Sequence, residues 1–292
     1  DDRTGARIGS PPKIHRGPGV TALPATRKIA PDFRAKIWGA RELGPWFPPQ
    51  GEEAIGEVWF SADDLLIKFL FTSQKLSVQV HPDDAYARQH ENSRGKTEMW
   101  HILRADPGAQ IALGFREPIE RSRLIPAAES GAIMDLLNWI DVRCGDTYFV
   151  SPGTVHAIGA GLALCEIQQN SDITYRLYDY GRKREMHLRQ AQQISDLDCH
   201  PGKALPEIVE DGVELLAECS YFRTFRAVLA TPKAFGPESP LRNARLLVVL
   251  EGSGRVNGLT VQPGEVLWSA ASFTVEPETR VGPGQMTLLL IE

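Results

Sequence analysis

The sequence predicts a mainly β fold, a small barrel or sandwich with added helices, followed by a second and smaller β unit. Three observations carry that prediction. Short strand-like runs recur from Ile55 onward, separated by turn chemistry such as Asp106-Pro107-Gly108, Ser151-Pro152-Gly153 and Gly159-Ala160-Gly161. The run Leu76-Ser77-Val78-Gln79-Val80-His81-Pro82-Asp83 alternates apolar and polar residues with period two, as a strand with one buried and one functional face does. Composition shifts around Asp198–Pro206, where Asp, His, Pro, Gly and Lys cluster, and strand signals then resume.

In chain order, residues 1–30 are rich in Gly, Pro, Arg and Lys and lack the apolar core of a signal peptide. They read as an N-terminal extension, with Asp1–Gly19 loosely held. Residues 31–200 form the main unit. Its predicted strands are Glu57–Phe60, Leu65–Phe71, Leu76–His81, Glu98–Leu103, Gln110–Gly114, Asp146–Val150, Ala163–Gln168 and Thr174–Tyr178. Helical patches interrupt them at Pro82–Glu91, at Ala127–Ile140 through the spacing of Ile133, Leu136, Leu137 and Ile140, and at His187–Ile194. Residues 201–292 form the second unit, with strands at Phe222–Leu229, Arg245–Leu250, Leu259–Val261, Glu265–Trp268 and Met286–Ile291. A weak internal repeat joins the two. The segment Gly145–His156 aligns with Gly264–Val275, both beginning Gly-acidic and continuing with an apolar pair. Val275 stands where His156 stands in the first copy, so a related second unit is structural.

At 292 residues the chain is long enough to bury about three quarters of its unfolded surface without a staple. A net charge of −5 gives no general attraction to nucleic acid or anionic lipid, so an anionic substrate needs a local basic cluster. Cys144, Cys165, Cys199 and Cys219 form no C-x-x-C pair and read as reduced thiols of a cytoplasmic protein. No apolar run approaches the length of a membrane span.

Chemistry concentrates in a few segments. Gln79 and His81 lie two apart on one strand face, within reach of one metal ion. Lys96, Glu98 and Trp100 repeat the device. His156, after the tight turn Ser151–Val155, completes a set of two imidazoles, one carboxylate and one amide oxygen. Two nitrogen ligands favour Zn²⁺, with Mn²⁺, Fe²⁺ or Co²⁺ as alternatives, and the absence of cysteine argues for an open, catalytic site. Between Glu166 and Arg189 lies a basic cluster of Arg176, Arg182, Lys183, Arg184 and Arg189. Lys183 and Arg184 read as a solvated face. Arg176, flanked by Tyr175, Leu177 and Tyr178, reads as partly buried and suited to bidentate phosphate recognition.

These motifs resemble type I mannose-6-phosphate isomerases of the cupin superfamily. The matching phrases are Leu76–Asp84, Gly95–Trp100, Pro152–Gly159 and Glu166–Arg176, in family order, within a similarity running from Ile37 to Leu197. The resemblance is to the short bacterial form, without the large helical insertion of longer members. It implies a cupin-type β-barrel (jelly roll) and a degenerate second cupin-like domain. One zinc ion per chain would be bound by Gln79, His81, Glu98 and His156. Lys96, Glu166 and Arg176 would have active-site roles, with the substrate phosphate near Ser77, Arg176 and Arg182. The implied reaction interconverts mannose 6-phosphate and fructose 6-phosphate through an enediol, in a monomer or homodimer acting on a phosphorylated hexose. Lys96 and Glu166 are the candidates for proton traffic, with a nearby cation or the metal expected to lower the Lys96 pKa. Two rival readings stay open: an Fe²⁺-dependent cupin dioxygenase and a non-catalytic sugar-phosphate-binding cupin.

Overall fold

The computed structural model describes residues 26–270, 272–278 and 284–292. The segment Asp1–Gly19, expected to be loosely held, lies outside them. The structure is mainly β, as the turn-punctuated runs predict, and among the described residues the strands assemble into four antiparallel sheets.

The first two sheets face each other and frame the candidate site. One has five strands, in the order Tyr175–Tyr178, Val78–Val80, His156–Ile158, Gln110–Phe115 and Leu137–Asp141. The other has six, in the order Asp32–Ala40, Ile55–Ala62, Leu65–Thr72, Leu162–Gln169, Glu98–Ala105 and Thr147–Val150. Trp38, Leu70, Trp100, Leu113, Tyr148 and Leu164 fill the space between them. Each such buried side chain contributes roughly 1.5–3 kcal/mol.

The alternation in Leu76–His81 sorts its side chains as its period requires. Val78 and Val80 pack outward with Leu124, Ala191 and Leu177 beneath the helices Arg121–Ser130 and Leu188–Ile194. The outer face of the six-stranded sheet is apolar too. Its Phe60, Phe69, Phe71 and Ile167 share one core with Leu246, Val248, Leu289 and Ile291 of the next sheet. Trp46 ties the layers by donating its indole N–H to the carbonyl of Leu250 at 2.9 Å.

That next sheet has seven strands, in the order Thr26–Ile29, Val266–Ser269, Leu246–Glu251, Met286–Ile291, Arg223–Leu229, Val213–Glu218 and Glu207–Glu210. It faces a four-stranded sheet of Lys233–Phe235, Phe273–Pro277, Gly254–Val256 and Leu259–Val261 across a wholly apolar cluster. Thr26–Ile29, at the end of the expected N-terminal extension, pairs with Val266–Ser269 at the edge of this sheet.

The internal repeat has a structural counterpart. Gly145 donates to the carbonyl of Ile102 while Ile102 donates to that of Asp146, at 2.8 and 2.9 Å. Gly264 and Glu265 make the same exchange with Val249, both bonds at 2.9 Å. Val275, aligned with His156, is fully buried among apolar side chains.

One predicted helix differs. Instead of one helix over Ala127–Ile140, a helix spans Arg121–Ser130, a short one spans Ile133–Leu136, and Leu137–Asp141 is a strand. The apolar spacing of Ile133–Ile140 suits a helix locally, but pairing of Ile140 with Ile111 and Trp139 with Ala112 extends the five-stranded sheet. All four cysteines are free. Among the described residues, no helix is long and apolar enough to cross a membrane.

Candidate active site and metal centre

Two rows of side chains meet between the facing sheets. On the five-stranded sheet, Gln79 is the register partner of both His156 and Arg176, so adjacent strands carry all three at one level. On the six-stranded sheet, Glu166 is the partner of both Lys68 and Trp100, and Gln168 is the partner of Glu98. Strand pairing thus converts residues distant in sequence into neighbours.

His81, Glu98 and His156 form a buried group whose ligand atoms lie within 4.8 Å of one another. His81 Nδ1 donates to the carbonyl of Ile173 at 2.7 Å, and His156 Nδ1 to that of Thr154 at 2.8 Å. A carbonyl can only accept, so both rings carry the proton on Nδ1 and present the Nε2 lone pair. Each Nε2 is 3.7 Å from a Glu98 oxygen. Glu98 Oε1 is buried without a hydrogen-bond partner among the described residues, an arrangement that costs free energy unless a cation or proton completes it. Burial lowers both imidazole pKa values, that of His156 to about 4, keeping the rings neutral as metal ligation requires. The donor set therefore fits a divalent metal. Gln79 is placed differently from its expected role: its amide nitrogen donates to His156 Nε2 at 3.3 Å, while its carbonyl accepts from Ser77 at 3.1 Å. A half-turn of the amide exchanges the two atoms.

Lys96 is buried, touches Glu98, donates to His81 Nε2 at 3.0 Å and lies 3.8 Å from Glu166 Oε1. Burial opposes its charge, but Glu166 and Glu98 outweigh that and raise its pKa. Burial, reinforced by Glu166, pushes Glu98 up to about 7. Glu166 is lowered: burial would raise it, but Lys96 and Lys68 prevail. Lys68 is 3.3 Å from Glu166 Oε1, and Trp100 donates to Glu166 Oε2 at 3.1 Å.

A cleft reaches this centre through Gln79, Lys96 and Glu166, and is lined also by Lys36, Glu57, Lys68, Ser77, Asp172, Arg176 and Arg184, among others. Arg176 Nε is buried without a partner among the described residues. Arg182, expected near a phosphate, is not in the lining; it donates to Lys75 O, Gln74 Oε1 and Asp179 Oδ1. Arg184, read as solvated, lines the cleft instead and is held by a bidentate pair with Asp179 at 2.6 and 2.7 Å. The sequence reading also missed Lys36, Glu57 and Lys68. For Lys68 a signal existed, a lone lysine inside the apolar run Leu65–Phe71, since a charge in such a run needs a partner.

The chain is 40% identical over 210 residues to the mannose-6-phosphate isomerase ManA of Bacillus subtilis (strain 168), covering 68% of this chain and 65% of that protein. It is 37% identical over 213 residues to a mannose-6-phosphate isomerase of Streptococcus mutans, covering 70% and 66%. The matches thus span just under two thirds of those relatives. The crystal structure of the mannose 6-phosphate isomerase from Bacillus subtilis superposes with a TM-score of 0.80 at 26% identity, over 91% of this chain and 98% of that one. No family model matches the chain. With the His–Glu–His centre between its sheets, the chain belongs to the type I mannose-6-phosphate isomerase family.

Proposed function

We propose that this protein interconverts mannose 6-phosphate and fructose 6-phosphate in the cytoplasm, using one zinc ion held by His81, Glu98, His156 and Gln79. The observation that carries the reading is the buried His–Glu–His group adjoining Lys96 at the base of a cleft that Arg176 also lines. Bound zinc would act as a Lewis acid toward a sugar oxygen. Lys96 and Glu166, 3.8 Å apart, carry the protons that leave one sugar carbon and return to its neighbour through an enediol. Lys68 and Trp100 hold the Glu166 carboxylate for that task. Arg176, Arg184 and Ser77 receive the phosphate, and binding energy gained there orients the reacting end.

The test combines elemental analysis with an isomerase assay on purified protein. About one divalent metal per chain is expected, with activity lost in chelator and restored by Zn²⁺. Full turnover in metal-free protein would overturn the mechanism, and oxygen uptake without isomerisation would favour a dioxygenase. Arg176→Ala is expected to raise KM for the sugar phosphate roughly 10- to 100-fold, the equivalent of a lost charge-assisted bond. Unchanged steady-state kinetics would remove Arg176 from the site.

A further inference from the structure

We infer that Asp84 and Tyr221 are positioning residues through which the C-terminal sheets hold the segment carrying Lys96. The inference rests on the proton-carrying role proposed for Lys96. That lysine is not on a strand: residues 94–97 precede the strand Glu98–Ala105 and lie outside regular structure. Three of their backbone donors are satisfied from outside. Gly95 N donates to Asp84 Oδ1 at 2.8 Å, Lys96 N to Pro82 O at 2.9 Å and Thr97 N to Gln169 Oε1 at 2.9 Å. Gln169 Nε2 donates in turn to Asp84 Oδ1 at 3.0 Å. Asp84 therefore holds the segment directly through Gly95 and indirectly through Gln169.

The other Asp84 oxygen faces the C-terminal half. Tyr221, in the turn between Val213–Glu218 and Arg223–Leu229, donates its hydroxyl to Asp84 Oδ2 at 3.0 Å. Neither Tyr221 nor Asp84 lines the cleft that opens onto the metal centre. The fit beneath them is close, because a Cβ on Gly95 would stand 2.5 Å from the Asp83 carbonyl carbon. Only glycine fits this close approach to the start of the helix Asp84–His90, and the Asp84 carboxylate holds its N–H there. Lys96 reaches both Glu98 and His81 from this segment, so a small displacement of its backbone misplaces the ammonium group.

Metal-loaded variants test this. Asp84→Ala is expected to lower kcat about 10- to 100-fold, with KM within about threefold and metal content unchanged. Asp84→Asn should restore most of kcat, since its carbonyl still accepts from Gly95 and Gln169. Tyr221→Phe should lower kcat about two- to fivefold. The ¹⁵N resonance of the Lys96 side chain, read without substrate, should shift in Asp84→Ala and Tyr221→Phe. The inference is overturned if kcat of Asp84→Ala stays within about twofold of the parent, if metal is lost along with kcat, or if the resonance is unmoved. Should Asp84→Ala fail to fold, Tyr221→Phe and the resonance decide. A parent protein without isomerase activity would sink the proposed function, while the resonance would still report the positioning.

Discussion

His156→Ala is expected to reduce bound metal from about one ion per chain to below about a tenth and to lower isomerase turnover at least about a thousandfold. The substitution removes one of two neutral imidazoles that face Glu98 from opposite oxygens. Glu98 would keep a buried oxygen with no partner and no cation to complete it. The backbone consequence is small, because His156 starts a short strand whose pairing with Leu113 and Gln79 does not depend on the side chain. Elemental analysis beside a melting curve separates loss of metal from loss of fold. A folded, metal-free variant that turns over at the parental rate would refute the mechanism.

Lys96→Met is expected to lower kcat about 10²- to 10⁴-fold while metal content stays near that of the parent. Methionine keeps much of the aliphatic volume and removes the ammonium group. Glu98 and Glu166 then lose a shared positive neighbour, leaving Lys68 beside Glu166. The metal-free protein should therefore melt at a lower temperature, and added Zn²⁺ should recover part of the loss by binding the native state. Separate measurement of kcat and KM is the check. A variant retaining more than about a tenth of kcat would take Lys96 out of the proton traffic.

Sequence by itself determined the mainly β class and which side chains share a strand face. Period two sends Val78 and Val80 under the helices and Gln79 and His81 inward, and local sterics set that period. The signature phrases also identified the family. Tertiary structure alone decided which faces meet. It paired Lys68 with Glu166, placed Arg184 rather than Arg182 in the cleft lining, and drew Leu137–Asp141 into a sheet against its helical spacing. It also set Tyr221 against Asp84, across 137 positions of chain. Such contacts depend on strand register and sheet stacking, which are long-range pairings that local periodicity does not encode.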